Sequence, residues 1–256
     1  MVRTTDPVRI RAILQTDRRW AVYALGDLAP GFFEHCEWLC APGQVPGLLL
    51  LYRAFAPPVL FALGEADTVA PLLDEIRDVP ALSLHIPVHI VPLVKERWHV
   101  RTDVRMWRMV LDPTAHRPSL ASEVVRLGAG DIPALEQLYA DGDANGEAPD
   151  FFHASMVEQG VFFGVRDGSE LIAAAGTHLI CPSEGVAAVG NIYTRRDRRR
   201  RGLAARLTSA VAAELLERDL RTVALNVSQQ NAVAIRLYER LGFERYCAFH
   251  EGMAER

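Results

Sequence analysis

Six of the seven residues before Gly202 are arginines, in the segment Arg195-Arg-Asp-Arg-Arg-Arg-Arg-Gly-Leu-Ala204. An extended apolar pattern, residues 186–194, precedes them, and a helical pattern, residues 202–218, follows. A strand that turns into a helix presents the unpaired N–H groups and the positive dipole end of the first helical turn, and a glycine lets an anion approach them closely. The segment therefore predicts an anion-binding loop.

Two familiar phosphate loops do not fit this segment. The glycine is not followed by Lys and Ser or Thr, as in a Walker loop, and Gly202-Leu-Ala-Ala-Arg-Leu lacks the later glycines of a dinucleotide-binding turn. A nucleic-acid-binding arm is a third alternative. The net charge of -4, the pI near 6.1 and the lack of spaced aromatic stacking residues oppose it. Lys95 is the only lysine among 28 basic residues, so a compositional preference for arginine also contributes to the run.

The length and composition are those of a globular protein with one large or two ordinary domains. The chain has 256 residues, of which 50% are hydrophobic. Residues 112–119 contain two prolines and no periodicity, which predicts a linker between domains at 1–115 and 120–256. The chain starts without a basic-then-apolar run and has no apolar stretch of about 20 residues, so we expect a cytoplasmic protein without a membrane segment.

The cysteines do not predict a metal site or a disulfide framework. Cys36, Cys40, Cys181 and Cys247 are few and scattered, which is typical of reduced thiols. His35 and Cys36 lie close to Cys40, but no second pair of ligand residues accompanies them at metal-binding spacing. We therefore expect no metal.

Apolar periodicity predicts a mixed order of helices and strands in both halves. The first half has helical patterns within 7–27 and at 67–76, and strand patterns at 48–55, 59–63, 82–86 and 106–111. The second half has strands at 124–127, 161–166, 170–179, 186–194, 222–227 and 246–250, and helices from Asp131, at 202–218 and at 231–241. Asp167-Gly168 is a strong hairpin signal, and Gly242 a helix-ending one.

Three segments of the second half resemble the GNAT superfamily of acyl-CoA-dependent N-acyltransferases. Arg199-Arg-Arg-Gly-Leu-Ala204 is similar to the family's pyrophosphate loop, Val189-Gly-Asn-Ile-Tyr-Thr194 to the strand that pairs with pantetheine, and Asn231-Ala-Val-Ala-Ile-Arg-Leu-Tyr-Glu-Arg-Leu-Gly-Phe243 to the second coenzyme segment. The resemblance covers residues 122–256. It departs from the family at Arg196 and Arg200, where proline and glycine are frequent, and neither change removes a backbone amide that the loop needs.

The resemblance implies a mixed α+β fold with a central, mostly antiparallel sheet whose strands splay apart and are flanked by helices. The mixed α/β order of the first half suits a diverged copy of the same fold, so we expect two GNAT-like domains in tandem. Because the first half has no comparable basic loop, we expect it to be a lid, a scaffold or a dimerisation half. A homodimer is compatible with this expectation.

The resemblance also implies a set of site residues. A backbone amide near Ile192 or Tyr193 would face the thioester oxygen, Tyr238 would be the general acid, and Asn231 would contact the coenzyme arm. The general base stays open between His178, a carboxylate at Glu147 or Asp150, and a water chain. The expected coenzyme-binding residues are Ile192, Tyr193, Thr194, Arg199, Arg200, Arg201, Gly202, Leu203, Ala204, Asn231 and Tyr238.

The predicted function is N-acetyl transfer from acetyl-CoA to a primary amine of a small molecule, an amino acid or a peptide, by direct attack in a ternary complex. The expected partners are acetyl-CoA and the amine, without nucleic acid or membrane. Three alternatives remain: a transferase for longer acyl-CoA, a coenzyme-binding regulator without catalysis, and a nucleic-acid-binding module. The sequence pattern leaves the acceptor open.

Overall fold

The chain runs twice through the same order of secondary-structure elements. The computed structural model describes residues 2–43, 46–116, 118, 123–144, 146–149 and 151–256. The first copy comprises β1 (Val2–Arg3), α1 (Pro7–Leu14), α2 (Val22–Gly26), β2 (Cys36–Cys40), β3 (Gly47–Tyr52), β4 (Val59–Gly64), α3 (Ala66–Asp74), β5 (Ala81–Pro87), α4 (Val91–Lys95) and β6 (His99–Leu111).

The second copy repeats this order without a change. It comprises β7 (Val124–Leu127), α5 (Ile132–Asp143), α6 (Ala154–Gln159), β8 (Phe162–Asp167), β9 (Glu170–Cys181), β10 (Val186–Thr194), α7 (Leu203–Glu217), β11 (Thr222–Ser228), α8 (Ala232–Arg240) and β12 (Phe243–Glu255). In both copies two helices follow the first strand, three strands then follow in sequence, and single helices separate the last three strands.

The chain divides into two compact units that do not coincide with the two copies. The first unit contains Met1–Met109, Asn226–Ala232 and Arg245–Arg256, and the second contains Val110–Leu225 and Val233–Glu244. Most of β12 thus lies in the first unit, where it pairs antiparallel with β5 from Phe249 opposite Pro87 to Glu255 opposite Ala81. The linker segment 112–119 falls in the second unit, and its residues 117 and 119 lie outside the described residues. The domains at 1–115 and 120–256 stay a prediction.

Both units contain a mostly antiparallel sheet with one parallel pair. In the first unit β1, β2, β3 and β4 pair antiparallel in turn, and β4 pairs parallel with β5. In the second unit β7, β8, β9 and β10 pair antiparallel in turn, and β10 pairs parallel with β11. A parallel pair needs a crossover connection, and α3 and α7 supply it. The predicted mixed α/β fold with a mostly antiparallel sheet and flanking helices is confirmed.

Local sequence accounts for the elements of the second unit that position the candidate site. The β8–β9 hairpin closes through Gly168 and Ser169, and Gly168 has the positive φ of 61° that glycine adopts without strain. Helix α7 has a stripe of apolar residues spaced four apart on one face, and this face packs against the core. The stripe consists of Leu203, Leu207, Val211 and Leu215.

A cluster of buried apolar side chains fills the core between α5, α6 and the sheet of the second unit. Its members are Leu127, Leu135, Leu138, Tyr139, Val157, Phe162, Leu171, Ala174 and Tyr193. Gly176 makes room for the fully buried Phe162, since a Cβ atom at Gly176 would lie 2.3 Å from that ring. Because Tyr193 belongs to this cluster, the end of β10 is anchored in the core.

The elements that the sequence pattern did not predict are short or exposed. They are β1, β2, α4 and α6, of which the longest, α6, has six residues. Strand β6 begins at His99, whereas the apolar pattern predicts a start at 106, because the side chains of residues 101–105 are exposed. No helix among the described residues is long and apolar enough to cross a membrane.

Gly176→Ala is expected to destabilise the protein by about 1–3 kcal/mol, because the new methyl group overlaps the Phe162 ring in a close-packed core. Urea unfolding followed by far-ultraviolet circular dichroism measures this change, since the four tryptophans all lie in the first unit and Gly176 lies in the second. Gly128→Ala is the matched control, since Gly128 has an extended φ of -137° and a Cβ atom there would have no neighbour within 4 Å. Equal stability of the two variants would contradict the close packing at Gly176.

Candidate functional site

The loop between β10 and α7 has the geometry of an anion site at a helix start. Gly202 is the N-cap of α7 with a φ of 74°, and Arg200 also has a positive φ, 65°. The first helical hydrogen bond runs from the Arg206 N–H to the Gly202 carbonyl over 3.2 Å, so the N–H groups of Leu203 and Ala204 precede it. No side chain caps these groups. They are the donors that a helix start leaves for an anion.

Four of the six loop arginines are paired with nearby carboxylates. These pairs are Arg195 with Glu170 and Asp197, Arg196 with Glu147, Arg198 with Asp167 and Asp197, and Arg199 with Glu147. Arg200 and Arg201 are exposed and make no ion pair with any described residue. The positive charge that is free for a ligand is therefore concentrated on the two arginines beside Gly202.

Glu147 forms ion pairs with two arginines of the loop, Arg196 and Arg199. Its Oε2 accepts hydrogen bonds from Arg196 Nε at 2.8 Å and from Arg199 Nη2 at 2.6 Å. These two arginines lower the pKa of Glu147 from its ordinary 4.5 to about 2. A carboxylate with so low a pKa is a weak base, so the pairing opposes the predicted role of Glu147 as general base. Asp150, the other predicted carboxylate, lies outside the described residues.

Arg199 is held by two further contacts. Its Nε donates to the Thr194 carbonyl at 3.1 Å, and its guanidinium carbon lies 5.9 Å from the Tyr193 ring centroid. The Tyr193 hydroxyl in turn donates to Asp141 at 2.9 Å, and burial together with this hydrogen bond raises the pKa of Tyr193. The end of β10, the loop and the C-terminal turns of α5 thus form one connected polar network.

β10 has no registered partner on either side at residues 191 and 192, and it pairs with β9 again at Tyr193 and Thr194. Its parallel pairing with β11 ends at Val189 opposite Leu225, and its register with β9 shifts between Gly190 and Tyr193. Asn191, inside this bulge, has a φ of 52°, and asparagine is one of the few residues other than glycine that adopt this conformation. The segment Asn191–Ile192 has no registered partner on β9 or β11. The predicted separation of strands is present, and Ile192 lies within it.

The imidazole of His178 lies over this bulge. A Cβ atom at Gly190 would approach His178 Nε2 to 2.2 Å, so the ring is in contact with the glycine backbone. The Phe151 ring contacts His178 edge-on at a centroid distance of 6.4 Å. The structure therefore brings His178 to the point where β10 separates from β11.

Tyr238 is almost completely buried on α8, and its hydroxyl makes no hydrogen bond to any described residue. Burial raises its pKa to about 12, and its ring packs against Phe243 at 6.1 Å. Asn231 lies in the other unit, where its N–H donates to the Ser228 carbonyl at 2.9 Å. The coenzyme contact of Asn231 stays a prediction.

Sequence reasoning missed Asn191 and Tyr139. Tyr139 on α5 donates a hydrogen bond of 2.8 Å to the Asn191 carbonyl, inside the bulge. The Gly190-Asn191 pair within an otherwise apolar strand is the local signal of such a backbone conformation. Among the described residues there is no cluster of three or more His, Cys, Asp or Glu side chains that could bind a metal.

The fold is that of a tandem α/β protein, and its second copy contains a strand, a basic loop and a helix start without a side-chain cap. Residues 132–243 match the acetyltransferase (GNAT) family model. A mycothiol acetyltransferase from Geodermatophilus obscurus is 38% identical over 89 residues, which are 33% of this chain and 29% of that relative. The matched part therefore spans less than a third of the relative's length.

Solved structures extend the similarity to the whole chain. A GNAT-family acetyltransferase from Novosphingobium aromaticivorans has a TM-score of 0.61 and 26% identity, covering 92% of this chain and 96% of that one. A tandem GNAT protein from the clavulanic acid biosynthesis pathway has a TM-score of 0.59 and 15% identity, with coverages of 99% and 97%. Residues 132–243 are therefore similar to GNAT acetyltransferases, and the whole chain has the fold of the tandem GNAT protein.

Glu147→Gln is expected to lower the melting temperature at neutral pH, because it removes the charge that Arg196 and Arg199 share. The pKa of Glu147 is lower in the folded protein, so its contribution is complete above about pH 4.5 and is lost as the pH falls toward about 2. Thermal unfolding of both proteins between about pH 7 and pH 3 measures this loss. A difference that stays constant over this range would contradict the assignment.

Proposed function

We propose that this chain is an N-acetyltransferase that transfers the acetyl group of acetyl-CoA to a primary amine, in a complex that contains both substrates. The observation that carries the proposal is the position of Arg200 and Arg201, which form no ion pair with the described residues, beside the open N-terminus of α7. This arrangement directly follows the strand that separates from its neighbour. The match of residues 132–243 to the GNAT family model supports the acyl transfer, and the name of the mycothiol acetyltransferase relative supports acetyl as the acyl group.

The residues at the loop fit a pyrophosphate. Gly202 leaves open space before the helix, where only the end of the Arg206 side chain lies within 4 Å of a Cβ position. The N–H groups of Leu203 and Ala204 then donate to the anion, while Arg200 and Arg201 neutralise its charge. The coenzyme-binding residues are Ile192, Tyr193, Thr194, Arg199, Arg200, Arg201, Gly202, Leu203, Ala204, Asn231 and Tyr238.

Arg199 and Tyr193 support this site by their position. Arg199 is bound to Glu147 and stacked beside the Tyr193 ring, so it orients the loop and adds positive potential. Tyr193 and Thr194 supply the backbone along which the pantetheine arm lies. Acetyl-CoA itself supplies the activated acetyl thioester.

The proton transfers are assigned to Tyr238 and His178. With its raised pKa of about 12, Tyr238 stays protonated at neutral pH, and its hydroxyl makes no hydrogen bond within the described part of the chain, so it can donate to the departing thiolate. His178 lies at the bulge, and histidine is the side chain that most often takes up a proton near neutral pH. We assign it to removal of the proton from the amine, directly or through a water molecule.

Calorimetric titration with acetyl-CoA and a thiol-release assay over a panel of amines test the proposed function. Binding followed by amine-dependent thiol release supports it, and the rate with acetyl-, propionyl- and longer acyl-CoA identifies the acyl group. Binding without thiol release from any amine would favour a coenzyme-binding regulator. No coenzyme binding, combined with salt-sensitive binding of single-stranded or duplex nucleic acid, would overturn the proposal.

Tyr238→Phe is expected to lower kcat by about 100-fold while the Kd for acetyl-CoA stays within about twofold, since the variant removes only the proton donor. Steady-state kinetics and calorimetry measure the two quantities. Tyr52→Phe, which removes a tyrosine hydroxyl from β3 in the other unit, is the control and should leave both unchanged. An unchanged kcat for Tyr238→Phe would remove this residue from the acid role.

Replacing both Arg200 and Arg201 with Ala is expected to weaken acetyl-CoA binding by about 10- to 100-fold, because each exposed arginine contributes an ion pair with the phosphates of about 1 kcal/mol. Arg195→Ala is the control: it removes one positive charge from the same loop, but Arg195 is paired with Glu170 and Asp197. Calorimetry at two salt concentrations measures the effect. Equal weakening by the control would show that general loop charge, rather than these two residues, attracts the coenzyme.

A further inference from the structure

Tyr139 fixes one peptide plane of the bulge in β10. Its hydroxyl, buried in the core, donates to the Asn191 carbonyl at 2.8 Å. Burial raises the pKa of Tyr139, which keeps the hydroxyl protonated and able to donate. The ring is itself held edge-on by Phe152 at a centroid distance of 4.9 Å. The packed Tyr139 side chain thus fixes the carbonyl of Asn191, which lies outside the regular pairing of β10 with β9.

The same peptide plane carries the N–H group of Ile192. In a trans peptide the carbonyl and the following N–H point in opposite directions, and the Asn191–Ile192 bond is trans. Holding the Asn191 carbonyl toward the Tyr139 hydroxyl therefore aims the Ile192 N–H away from it. Neither β9 nor β11 has a residue in register with Ile192, so this N–H group lies outside the regular ladder of the sheet.

The Asn191 side chain contributes little hydrogen bonding of its own. Its Nδ2 contacts the Met156 sulfur at 3.5 Å, and its Oδ1 is buried without a partner. Asparagine tolerates the left-handed conformation that Asn191 adopts, with a φ of 52°. The backbone conformation, rather than the amide group, is what the bulge requires at this position.

From this geometry we infer that Tyr139 is a positioning residue that aims the Ile192 N–H at the carbonyl oxygen of the acyl donor. This inference rests on the proposed function and selects Ile192 over Tyr193 as the donor. A fixed N–H group stabilises the negative charge that develops on the carbonyl oxygen during attack by the amine. Tyr139 touches no reacting atom and acts only through the peptide that it holds.

Tyr139→Phe tests the inference, because it keeps the packed ring and removes the hydroxyl. We expect kcat to fall by about 10-fold, while KM for the amine and Kd for acetyl-CoA stay within about twofold. The control is Tyr246→Phe, which loses a hydrogen bond of 2.6 Å to Asp17 in the first unit and should keep the wild-type kcat. An unchanged kcat in Tyr139→Phe, or an equal weakening of coenzyme binding, would overturn the inference.

Infrared spectroscopy of bound acetyl-CoA provides a readout that does not depend on turnover. A hydrogen bond from Ile192 shifts the thioester carbonyl stretch of the wild-type complex to lower frequency, and Tyr139→Phe should reduce this shift. Equal shifts in both complexes would overturn the inference and leave the proposed function intact. If wild-type protein binds no acetyl-CoA, the proposed function fails together with the inference.

Two substitutions of Asn191 separate backbone from side chain. Asn191→Gly keeps the left-handed conformation and should retain most of the activity and of the carbonyl shift. Asn191→Ala strains that conformation and should lower kcat several-fold more than the glycine variant does. If both variants lose the same activity, the amide side chain rather than the peptide orientation is required, and the inference is wrong.

Discussion

The site depends on one constraint, which is the early end of the pairing between β10 and β11. These parallel strands are in register over only four residue pairs, from Val186 opposite Thr222 to Val189 opposite Leu225. Beyond Val189 the backbone of β10 keeps hydrogen-bonding groups that β11 does not take up. Backbone groups without a partner are costly when they are buried, so such a segment is retained where a ligand can satisfy them. The bulge at Asn191 lies directly after this separation, and the loop and the helix start come next along the chain.

Electrostatics then decides which part of the basic loop is available to a ligand. Carboxylates from three different segments pair with Arg195, Arg196, Arg198 and Arg199. Such surface pairs contribute little stability individually, but they fix the shape of the loop and remove its excess charge. What remains is positive charge on two side chains next to the uncapped helix start. A run that looks uniformly basic in the sequence thus contains four arginines paired with carboxylates and two without an ion pair to any described residue.

The two copies of the fold differ at this loop. In the first copy, β4 connects to α3 through Gly64 and Glu65, and Asp67 is the acidic residue of the first helical turn. A Cβ atom at Gly64 would lie 2.5 Å from the Pro46 carbonyl, so this connection is closely packed against backbone. Negative charge and close packing oppose an anion at the helix start. Although both copies have the same order of elements, the open and basic helix start is found at α7 of the second copy and not at α3 of the first.

The sequence by itself determined the strong elements and the location of the site. The apolar stripe of α7, the Asp167-Gly168 hairpin and the motif around Gly202 depend on neighbouring residues, and local rules predict such features well. Short elements such as β1 and α6 were not predicted, because a few residues are too short a stretch to show an apolar periodicity. The membership of β12 in the first unit escaped too, since it depends on residues more than 150 positions away.

Only the tertiary structure decided which arginines are free, which residues hold the bulge and what Glu147 does. The pairing of Glu147 with Arg196 and Arg199 joins residues about 50 positions apart, and it lowers the pKa of this candidate base to about 2. The hydrogen bond from Tyr139 to the Asn191 carbonyl spans a similar distance along the chain. The sequence gives the type of each side chain, but its charge state and orientation depend on the groups that surround it in the folded protein.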